Sequence, residues 1–496
     1  MSELPFIERA KAHGDRIAFR TSEQSHTYRQ LLDRSGVIAA ELLADADDLQ
    51  EARLALLVTP GFEYSTAQWA IWRAGGVVVP ICLSATESEW EYALTDSQAS
   101  VVVADGSNVA KIASLCERLA LRLVSVDSIN AEVSRSLPEI NPNRQAMILY
   151  TSGTTSKPKG VVTTHAIIQA QIESLVQAWE WSADDHIPMF LPLHHIHGII
   201  NITGCALWSG AVIEPFSRFD TSNILGRVRE DAYTLFMAVP TIYVKLIQAI
   251  EAASEADRTA ILAGFRKLRL MVSGSAALPA SVHERWAELT GQELLERYGM
   301  TEIGMAISNL YRGERRPGVV GAPLPRVEVR LKAENGAVVT VEDEPGEIQV
   351  RGPGVFQAYW NRPEATADCF EEGWFRTGDM AVLERGYYRI MGRLSVDIIK
   401  SGGYKLSALE IEAGLLEHPQ IAECAVIGLP DETWGEAVTA ACVVTGDVQI
   451  DITMLRDWCK GRMSAYKIPQ RLLVVNELPR NAMGKVTKSA VRALFQ

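Results

Sequence analysis

The sequence predicts an α/β protein with a large N-terminal unit and a small C-terminal α+β unit. In the first half of the chain, short apolar runs alternate with amphipathic segments, which is typical of strands alternating with helices. The chain has 496 residues, more than one domain usually holds. Its 47% hydrophobic and 22% charged residues are ordinary for a globular protein with a sizeable core.

The strand and helix signals of the N-terminal unit favour parallel sheets covered by helices. Residues 52–80 read as a strand, a turn, an amphipathic helix and a buried strand that ends at Pro80. Short buried strands are predicted over 100–104 and 121–126, and further strands over 235–239 and 268–272. Strands that alternate with helices in this way build sheets with helices on their faces.

The pattern changes after residue 327. Residues 327–350 read as short alternating strands with Asn335-Gly336 as a hairpin turn, which predicts a small antiparallel barrel or sheet. Beyond a charged turn at 392–403, the signals are a helix over 408–416, strands over 424–427 and 437–444, and a helix over 452–460. We therefore divide the chain into an N-terminal unit, 1–393, and a C-terminal unit, 394–496.

Charge and composition exclude several classes of protein. The formal net charge of −13 disfavours nonspecific nucleic-acid binding, and we read it as a solubility feature. Seven scattered cysteines form no CxxC pair, so neither a zinc site nor a disulfide framework is indicated. The sequence has no secretory signal and no apolar run long enough to span a bilayer. A cytoplasmic enzyme is the expectation.

The most informative segment for chemistry is 150–165, YTSGTTSKPKGVVTTH, directly after the apolar run AMIL. Its glycines allow backbone N–H groups to approach an anion, and its hydroxyls and lysines add donors, which suits a polyphosphate. The segment is not a Walker A loop, because Gly153 is followed by TTSK and then Pro158-Lys159. A flexible surface loop is the alternative, which the apolar run and the ordered glycines disfavour.

Other polar segments follow predicted strands, where α/β proteins bind ligands. SGSAA begins at Ser273 and YGMTE at Tyr298. Thr377-Gly378-Asp379 follows an aromatic pair, Arg393 lies in the charged turn, and Lys485 lies near the C-terminus. Taken singly, each of these charged residues is an ordinary solvated side chain.

Together, these segments resemble the signatures of the adenylate-forming acyl-CoA synthetase superfamily. The matching strings are YTSGTTSKPKG, YGMTE, GWFRTGD, GYYRIMGR, IKSGGYK and PRNAMGK, in family order from Tyr150 to Lys485, with WRAGGVVVP at 72–80 extending the match. The resemblance implies a large domain of stacked mixed α/β sheets with a small β-barrel-like subdomain, and a small mobile α+β cap. It also implies a role in fatty acid metabolism.

The reaction that the resemblance implies has two steps. A carboxylate attacks the α-phosphorus of ATP to give an acyl-adenylate and pyrophosphate, and the thiol of coenzyme A then displaces AMP. ATP, Mg²⁺ and coenzyme A are the implied cofactor and co-substrates. A small carboxylate is the implied partner, with no nucleic acid and no membrane segment.

Site residues are carried over from the matching motifs. Lys485 would stabilise charge on the α-phosphate and the attacking carboxylate, and the turn 393–397 would be the hinge of the cap. Glu302 would hold Mg²⁺, with Thr301 beside the α-phosphate. Tyr298 would face the adenine, and Asp379 and Arg393 would bind the ribose. The implied nucleotide-binding set is Thr151, Ser152, Gly153, Thr154, Thr155, Lys159, Gly274, Ser275, Ala276, Glu296, Arg297, Tyr298, Gly299, Met300, Thr301, Asp379 and Arg393. The implied coenzyme A set is Lys400, Ser401, Gly402, Gly403 and Tyr404. The implied catalytic set is Lys485, Thr301, Glu302 and His195.

The acid pocket is predicted from two further segments. In LPLHHIHG, 191–198, His195 matches the gate of the family's acyl pocket, while His197 is either a core residue or a ligand group. In the predicted helix 279–289, Arg285 lies at the edge of an apolar stripe and either meets an anion in the pocket or pairs with a neighbouring glutamate.

Within the superfamily, SGSAALP, ERYGMTE, HHIHG and DIIKSGGYK resemble the malonyl-CoA synthetase group. That resemblance implies that Arg285 reads the distal carboxylate of malonate or methylmalonate and that Met305 limits branching. The implied acid-binding set is His195, His197, Ser273, Arg285 and Met305.

Three alternatives stay open. The chain could activate another small or medium acid, or load a carrier protein instead of coenzyme A. The sequence shows no carrier domain after Lys485, which favours free coenzyme A. A nucleotide-binding sensor without catalysis is disfavoured by the joint presence of Lys159, Glu302 and Lys485.

Overall fold

The computed structural model describes residues 3–129, 135–151, 157–402, 404–446, 449–480 and 486–495. The predicted site residues Ser152, Gly153, Thr154, Thr155, Gly403 and Lys485 lie outside the described residues.

The strands of the described residues are numbered in chain order. They are β1 (Ile17–Arg20), β2 (Ser25–Thr27), β3 (Arg53–Leu57), β4 (Val77–Pro80), β5 (Val101–Ala104), β6 (Arg122–Ser125), β7 (Gln145–Thr151), β8 (Lys159–Thr164), β9 (His186–Met189), β10 (Val212–Pro215), β11 (Leu235–Ala238), β12 (Leu270–Ser273), β13 (Leu295–Met300), β14 (Gly304–Ser308), β15 (Ala322–Pro323), β16 (Glu328–Lys332), β17 (Gly346–Arg351), β18 (Ala358–Tyr359), β19 (Phe370–Glu371), β20 (Trp374–Glu384), β21 (Tyr387–Arg393), β22 (Ile398–Ser401), β23 (Tyr404–Ser407), β24 (Ile421–Asp431), β25 (Gly435–Val444) and β26 (Arg471–Val474).

The α-helices are numbered in the same way. They are α1 (Pro5–His13), α2 (Tyr28–Leu43), α3 (Phe62–Arg73), α4 (Glu87–Asp96), α5 (Gly106–Arg118), α6 (His165–Trp179), α7 (Cys205–Ser209), α8 (Thr221–Arg229), α9 (Pro240–Ala252), α10 (Glu255–Lys267), α11 (Ala280–Thr290), α12 (Pro363–Asp368), α13 (Ala408–Leu416), α14 (Ile452–Cys459) and α15 (Lys488–Ala493). A π-helix covers His197–Gly204, and 3₁₀ turns cover Val126–Ser128 and Ala465–Lys467.

Local sequence explains where several helices begin. Thr27 caps α2 by accepting a hydrogen bond from the Gln30 backbone N–H, and the Gln30 side chain accepts one from the Thr27 N–H. Thr86 and Glu89 form the same reciprocal capping box on α4. Pro240 begins α9, where a missing N–H costs nothing. These residues therefore set where the three helices begin.

Mixed sheets form most of the N-terminal unit, as predicted. Seven strands run in the order β18-β8-β7-β4-β3-β5-β6, in which β3 to β7 are parallel. A second sheet, β11-β12-β13-β14-β15, is parallel across its first three strands. A third runs β2-β1-β10-β9. One large apolar core, which includes Trp69, Trp179 and Trp286, packs between these sheets and their helices.

The polyphosphate-type segment joins two antiparallel strands. Strand β7 ends at Thr151, and β8 begins at Lys159, its partner in the ladder. A P-loop instead leads from a strand into a helix. The architecture therefore agrees with the rejection of a Walker A loop.

The predicted small antiparallel sheet is present. Its strands run β16-β17-β20-β19, and β21 pairs with β20. The Asn335-Gly336 turn is also confirmed, because the Gly336 N–H donates to Ala333 O at 2.9 Å and Gly336 has a φ of +85°. Beyond the turn, only an isolated bridge between Lys332 and Val338 continues the hairpin. The partner of β16 is instead β17.

The last strands form a sheet of their own. It runs β23-β22-β25-β24, with β26 on β25, and α13 covers a separate apolar core. The predicted strand 424–427 is longer than expected, because β24 pairs with β25 along most of its length. The fold class is therefore the predicted one. The division at residue 393 stays a prediction, although β21 and β22 lie in different sheets.

Candidate active site

Two parallel strand ends bring the predicted motifs together. Ser273, the last residue of β12, pairs with Glu296 of β13. The segment 273–277 therefore lies beside the start of ERYGMTE, as the carboxyl ends of neighbouring parallel strands must. Gly274 is buried, whereas Ser275 and Ala276 are exposed. Ser275 has a φ of +71°, a conformation that is uncommon away from glycine.

Three predicted nucleotide-binding side chains meet in one hydrogen-bonded cluster. The Tyr298 hydroxyl donates to Asp379 Oδ2 at 2.6 Å. Arg393 Nε lies 3.2 Å from Asp379 Oδ1, and the two residues face each other in the ladder of β20 and β21. Burial raises the pKa of Asp379, while Arg393 and the Tyr298 hydroxyl oppose that rise. The Asp379 carboxylate is thus a fixed hydrogen-bond acceptor beside the Arg393 cation. This arrangement suits the binding of two adjacent hydroxyl groups.

A second cluster surrounds Glu302. The Tyr359 hydroxyl donates to Glu302 Oε1 at 2.7 Å, and Lys159 Nζ lies 4.9 Å from the centre of the Tyr359 ring. Burial raises the pKa of Glu302, and the bond from Tyr359 lowers it. Thr301 lies half-buried in the turn just before Glu302. One aromatic side chain therefore connects the proposed metal-binding carboxylate with a lysine at the polyphosphate-type segment.

Sequence reasoning missed Tyr359. It lies in QAYWNRPEAT, a segment that shows only aromatic and turn residues. Its strand β18 pairs with β8 in the sheet that carries Lys159. This pairing joins residues about two hundred positions apart, so the sequence gives no local sign of it.

A buried arginine, Arg297, lies beside Ser275 and near the predicted acid-pocket residue His197. Arg297 is only 4% exposed, and its Nη2 lies 3.4 Å from Ser275 Oγ. Its Nε has no hydrogen-bond partner among the residues that the structure describes. A Cβ on Gly274 would lie 2.4 Å from Arg297 Cζ, so only glycine leaves room for the guanidinium there. His197 Nδ1 is 3.1 Å from Ser275 Oγ.

The pKa shifts of the neighbouring histidines are consistent with a buried cation at Arg297. Burial, Arg297 and His195 all lower the pKa of His197, so that imidazole is neutral. Burial and the neighbouring His195 together lower the pKa of His194 to about 3. The His194 and His195 rings lie 4.1 Å apart. His197 is buried and neutral, and its Nδ1 contact with Ser275 places it near Arg297; its role as a ligand group stays a prediction.

The neighbour of Arg297 in sequence does not neutralise it. Burial outweighs the opposing effects of the Leu278 N–H and Arg297, and the pKa of Glu296 is raised to about 8. Burial lowers the pKa of Arg297 to about 10. Burial thus favours the protonated form of Glu296, while the pKa of Arg297 stays far enough above neutral for the guanidinium to be charged. An uncompensated cation at this depth is costly unless an anion joins it.

The prediction that Arg285 lines the acid pocket is wrong. Its side chain is 47% exposed and forms ion pairs with Glu251 at 2.6 Å and Glu288 at 2.9 Å. Trp286, the next residue, takes the inward position on α11, where its ring packs against Tyr243 and Phe265. Arg285 points instead along the surface towards α9, which supplies Glu251.

The other acid-pocket residues are buried near these strands. Ser273 is fully buried at the end of β12, and its Oγ has no hydrogen-bond partner within the described part of the chain. Met305 is buried on β14 and pairs with Gly299. A Cβ on Gly299 would lie 2.6 Å from Met305 Cε, so the two residues pack closely. Met300 is half-buried at the end of β13.

The predicted coenzyme A residues form the β22–β23 hairpin. Ser401 pairs with Tyr404 across it, and Gly402 has a φ of +56°. The Gly402 N–H donates to Trp434 O at 2.9 Å. Tyr404 is exposed and stacks on Tyr466 with ring centres 4.5 Å apart. Lys400 is exposed as well. The hairpin thus presents aromatic and cationic groups to solvent, away from Arg297 in sequence and in sheet.

Fold and site together define an adenylate-forming enzyme, with nucleotide-type clusters on a large α/β body and a separate small α+β unit. The sequence profile of the AMP-binding enzyme family matches residues 6–360, and that of the AMP-binding enzyme C-terminal domain matches residues 410–485. The chain belongs to the AMP-binding enzyme family.

Comparison with individual proteins shows which members of the family the chain resembles in sequence and structure. The mitochondrial malonate–CoA ligase of Homo sapiens is 42% identical over 525 residues, covering 98% of this chain and 91% of the ligase. ATP-bound MatB from Rhodopseudomonas palustris superposes with a TM-score of 0.90 at 32% identity, covering 100% of this chain and 99% of that chain. The apo form of that protein gives a TM-score of 0.81.

A third neighbour is a malonyl-CoA ligase in a ternary product complex with methylmalonyl-CoA and AMP. It gives a TM-score of 0.69 at 36% identity, covering 96% of this chain and 100% of that chain. The chain is accordingly an ATP-dependent, AMP-forming acid–CoA ligase. No helix in the described parts of the chain is both long and apolar enough to cross a membrane.

Proposed function

We propose that the chain joins malonate to coenzyme A in two steps. A carboxylate oxygen of malonate bonds to the α-phosphorus of ATP, and the bond to pyrophosphate breaks. The sulfur of coenzyme A then bonds to the carbonyl carbon, the bond to AMP breaks, and the thiol proton is released. The observation that carries the choice of malonate is the buried guanidinium of Arg297, whose Nε has no hydrogen-bond partner among the described residues.

Arg297 supports a dicarboxylate because of what surrounds it. Its guanidinium stays charged only at the cost of its desolvation, and burial raises the pKa of Glu296, which disfavours the Glu296 carboxylate as a counter-ion. A second carboxylate would supply the missing anion and accept charge-assisted hydrogen bonds. Ser275 and neutral His197 would add polar contacts beside it. An aliphatic acid of similar length would leave the cation unpaired, so it should be a poor substrate.

The nucleotide would occupy the clusters around Asp379 and Glu302. Asp379 would accept from the ribose hydroxyls and Arg393 would donate to them, with the Tyr298 ring against the adenine. Lys159 would contact the phosphates, and Thr301 would lie beside the α-phosphate. Glu302 offers the hard oxygen that Mg²⁺ prefers, and its buried acceptor fits such a cation. Bound Mg²⁺ would neutralise charge on the phosphates.

The C-terminal unit would bring Lys485 to this site in the first step and the β22–β23 hairpin towards coenzyme A in the second. Two forms of one neighbour support a change of arrangement, because MatB fits this chain with TM-scores of 0.90 with ATP and 0.81 without it. The product complex fits less well despite its higher identity. We infer that the structure resembles the arrangement for adenylation.

Carboxylate-dependent exchange of pyrophosphate into ATP tests the proposal. The panel would contain malonate, methylmalonate, succinate and butyrate, each measured with and without Mg²⁺. We expect the fastest exchange with malonate, no exchange without Mg²⁺, and malonyl-CoA once coenzyme A is added. Rapid exchange with butyrate and none with malonate would reject the choice of substrate.

A further inference from the structure

We infer that Lys488 is a positioning residue for the first half-reaction: its ammonium group ties the segment that follows Lys485 to the turn 394–397 between β21 and β22. This inference rests on the proposed two-step function. It assigns to Lys488 a part that no sequence motif indicated.

A buried ion network carries the inference. Lys488 Nζ lies 2.7 Å from Asp397 Oδ1 and 2.8 Å from Glu412 Oε1. The side chains are 10% exposed for the lysine and 15% exposed for both acids. Burial alone would lower the pKa of Lys488, but Glu412 and Asp397 raise it overall, so the lysine is charged. Removing the cation would leave two carboxylates facing each other away from water.

The two acids belong to different segments of the C-terminal unit. Glu412 lies on α13, and its Oε1 also accepts a hydrogen bond from the Val426 N–H of β24 at 2.7 Å. Glu412 is therefore fixed within the C-terminal sheet. Asp397 lies in the turn that enters this sheet, and its Oδ2 accepts from the Arg393 N–H at 3.0 Å. Lys488 thus joins the turn to the body of the C-terminal unit.

The turn is in direct contact with the ribose-type cluster. Arg393, which Asp397 caps, is the residue whose Nε lies 3.2 Å from Asp379. The Leu394 N–H donates to Gly378 O at 2.9 Å. Gly392 has a φ of +117°, and a Cβ there would lie 2.4 Å from the Cβ of Asp397, so the turn closes tightly. A continuous set of contacts therefore runs from Asp379 to Lys488.

Lys488 also fixes the chain just after the proposed catalytic residue. It is three positions beyond Lys485 and is the first residue of α15. The Thr487 N–H donates to Pro479 O at 2.9 Å, and Val491 is buried against β24 residues such as Ala425. The described backbone from Val486 to Val491 is therefore anchored in the C-terminal unit, and Lys488 ties it to the turn.

A purely stabilising ion pair would not need Asp397. Glu412 alone would pair Lys488 within the C-terminal core, and a second buried carboxylate adds a desolvation cost. Asp397 makes the network sensitive to the turn instead, because a change of its backbone angles would move this carboxylate away from the ammonium group. Lys488 therefore favours the arrangement seen here, which we assigned to adenylation.

Separate assays of the half-reactions test this role. Malonate-dependent pyrophosphate exchange reports the first, and malonyl-CoA formation from supplied malonyl-adenylate reports the second. For Lys488→Met we expect exchange to fall at least about tenfold, while the second rate stays within about threefold of the original. Lys488→Arg should restore most of the exchange, because a cation returns to the network.

Asp397→Asn provides an independent route. It weakens the link to the turn but leaves the Lys488–Glu412 pair, so the C-terminal unit should stay folded. We expect the same selective loss of exchange, and we expect the double variant to be no worse than Lys488→Met alone. The matched control is Lys467→Met, which removes an ion pair to Glu410 on the same helix. Its ratio of half-reactions should not change.

The possible results distinguish a positioning role of Lys488 from a purely structural one. Equal loss of both half-reactions in Lys488→Met and Asp397→Asn, with a lowered unfolding temperature, would show a structural role only. Additive effects of the two substitutions, or an unchanged ratio in Asp397→Asn, would also overturn the inference. Absence of exchange with every carboxylate in the unmodified protein would instead refute the proposed function.

Discussion

Replacing Arg297 by methionine tests whether Arg297 or Arg285 binds the second carboxylate of the substrate. Methionine keeps much of the apolar volume but removes the only charge that we place in the acid pocket. A hydrogen bond between charged groups contributes about 1.5–3 kcal/mol. Since about 1.4 kcal/mol corresponds to a factor of ten, we expect kcat/KM for malonate to fall about 10- to 150-fold.

The assay measures AMP release with malonate and with butyrate under the same conditions. Arg297→Met should lose activity with malonate but keep or gain activity with butyrate, because it no longer buries an unpaired cation. Arg285→Met is the matched control. It removes an exposed arginine whose ion pairs with Glu251 and Glu288 lie at the surface and are weakened by solvent. Its kcat/KM for malonate should change less than about threefold.

Two results would refute this reasoning. An equal loss with both acids in Arg297→Met would mean that Arg297 supports the strand end or the nucleotide rather than the acid. A loss confined to malonate in Arg285→Met would mean that the surface position of Arg285 is not the functional one.

Three further predictions concern neighbouring groups. Because the raised pKa of Glu296 is about 8, its ionisation above that pH should neutralise Arg297 and raise KM for malonate. Glu296→Gln should abolish this rise in KM, and an unchanged rise would contradict the account. Tyr359→Phe removes the bond that lowers the pKa of Glu302, so the acidic limb of the Mg²⁺-dependent rate should move to higher pH; a fixed limb would exclude this coupling. Gly274→Ala places a methyl group against the Arg297 guanidinium and should lower kcat/KM for malonate at least about tenfold. An equal effect on butyrate would argue that the glycine serves the nucleotide instead.

The fold and the nucleotide clusters could be predicted because their signals are local. Each parallel strand is a short apolar run, and each polar segment follows its strand directly. Tyr298 and Asp379 were predicted in one set, and the structure joins them by a hydrogen bond although 81 positions separate them. The length of β24 was underestimated, since pairing with β25 extends it beyond its apolar centre.

The acid pocket was harder to predict because it depends on contacts between distant elements. Helical periodicity places Arg285 at the edge of an apolar stripe, but it does not reveal that α9 presents Glu251 to it. Arg297 was assigned to the nucleotide through its motif, and only burial beside Gly274 and Ser275 indicates a different partner. Lys488 went unnoticed because both of its acids are far away in the sequence.

Oxygen transfer from the acid to AMP is the most direct test of the central claim, that this chain activates a carboxylate as its adenylate. The unmodified protein would be supplied with malonate labelled with ¹⁸O in its carboxylates, together with ATP, Mg²⁺ and coenzyme A. The account predicts one labelled oxygen in each AMP and none in pyrophosphate. Label in released phosphate, or AMP without label, would contradict it.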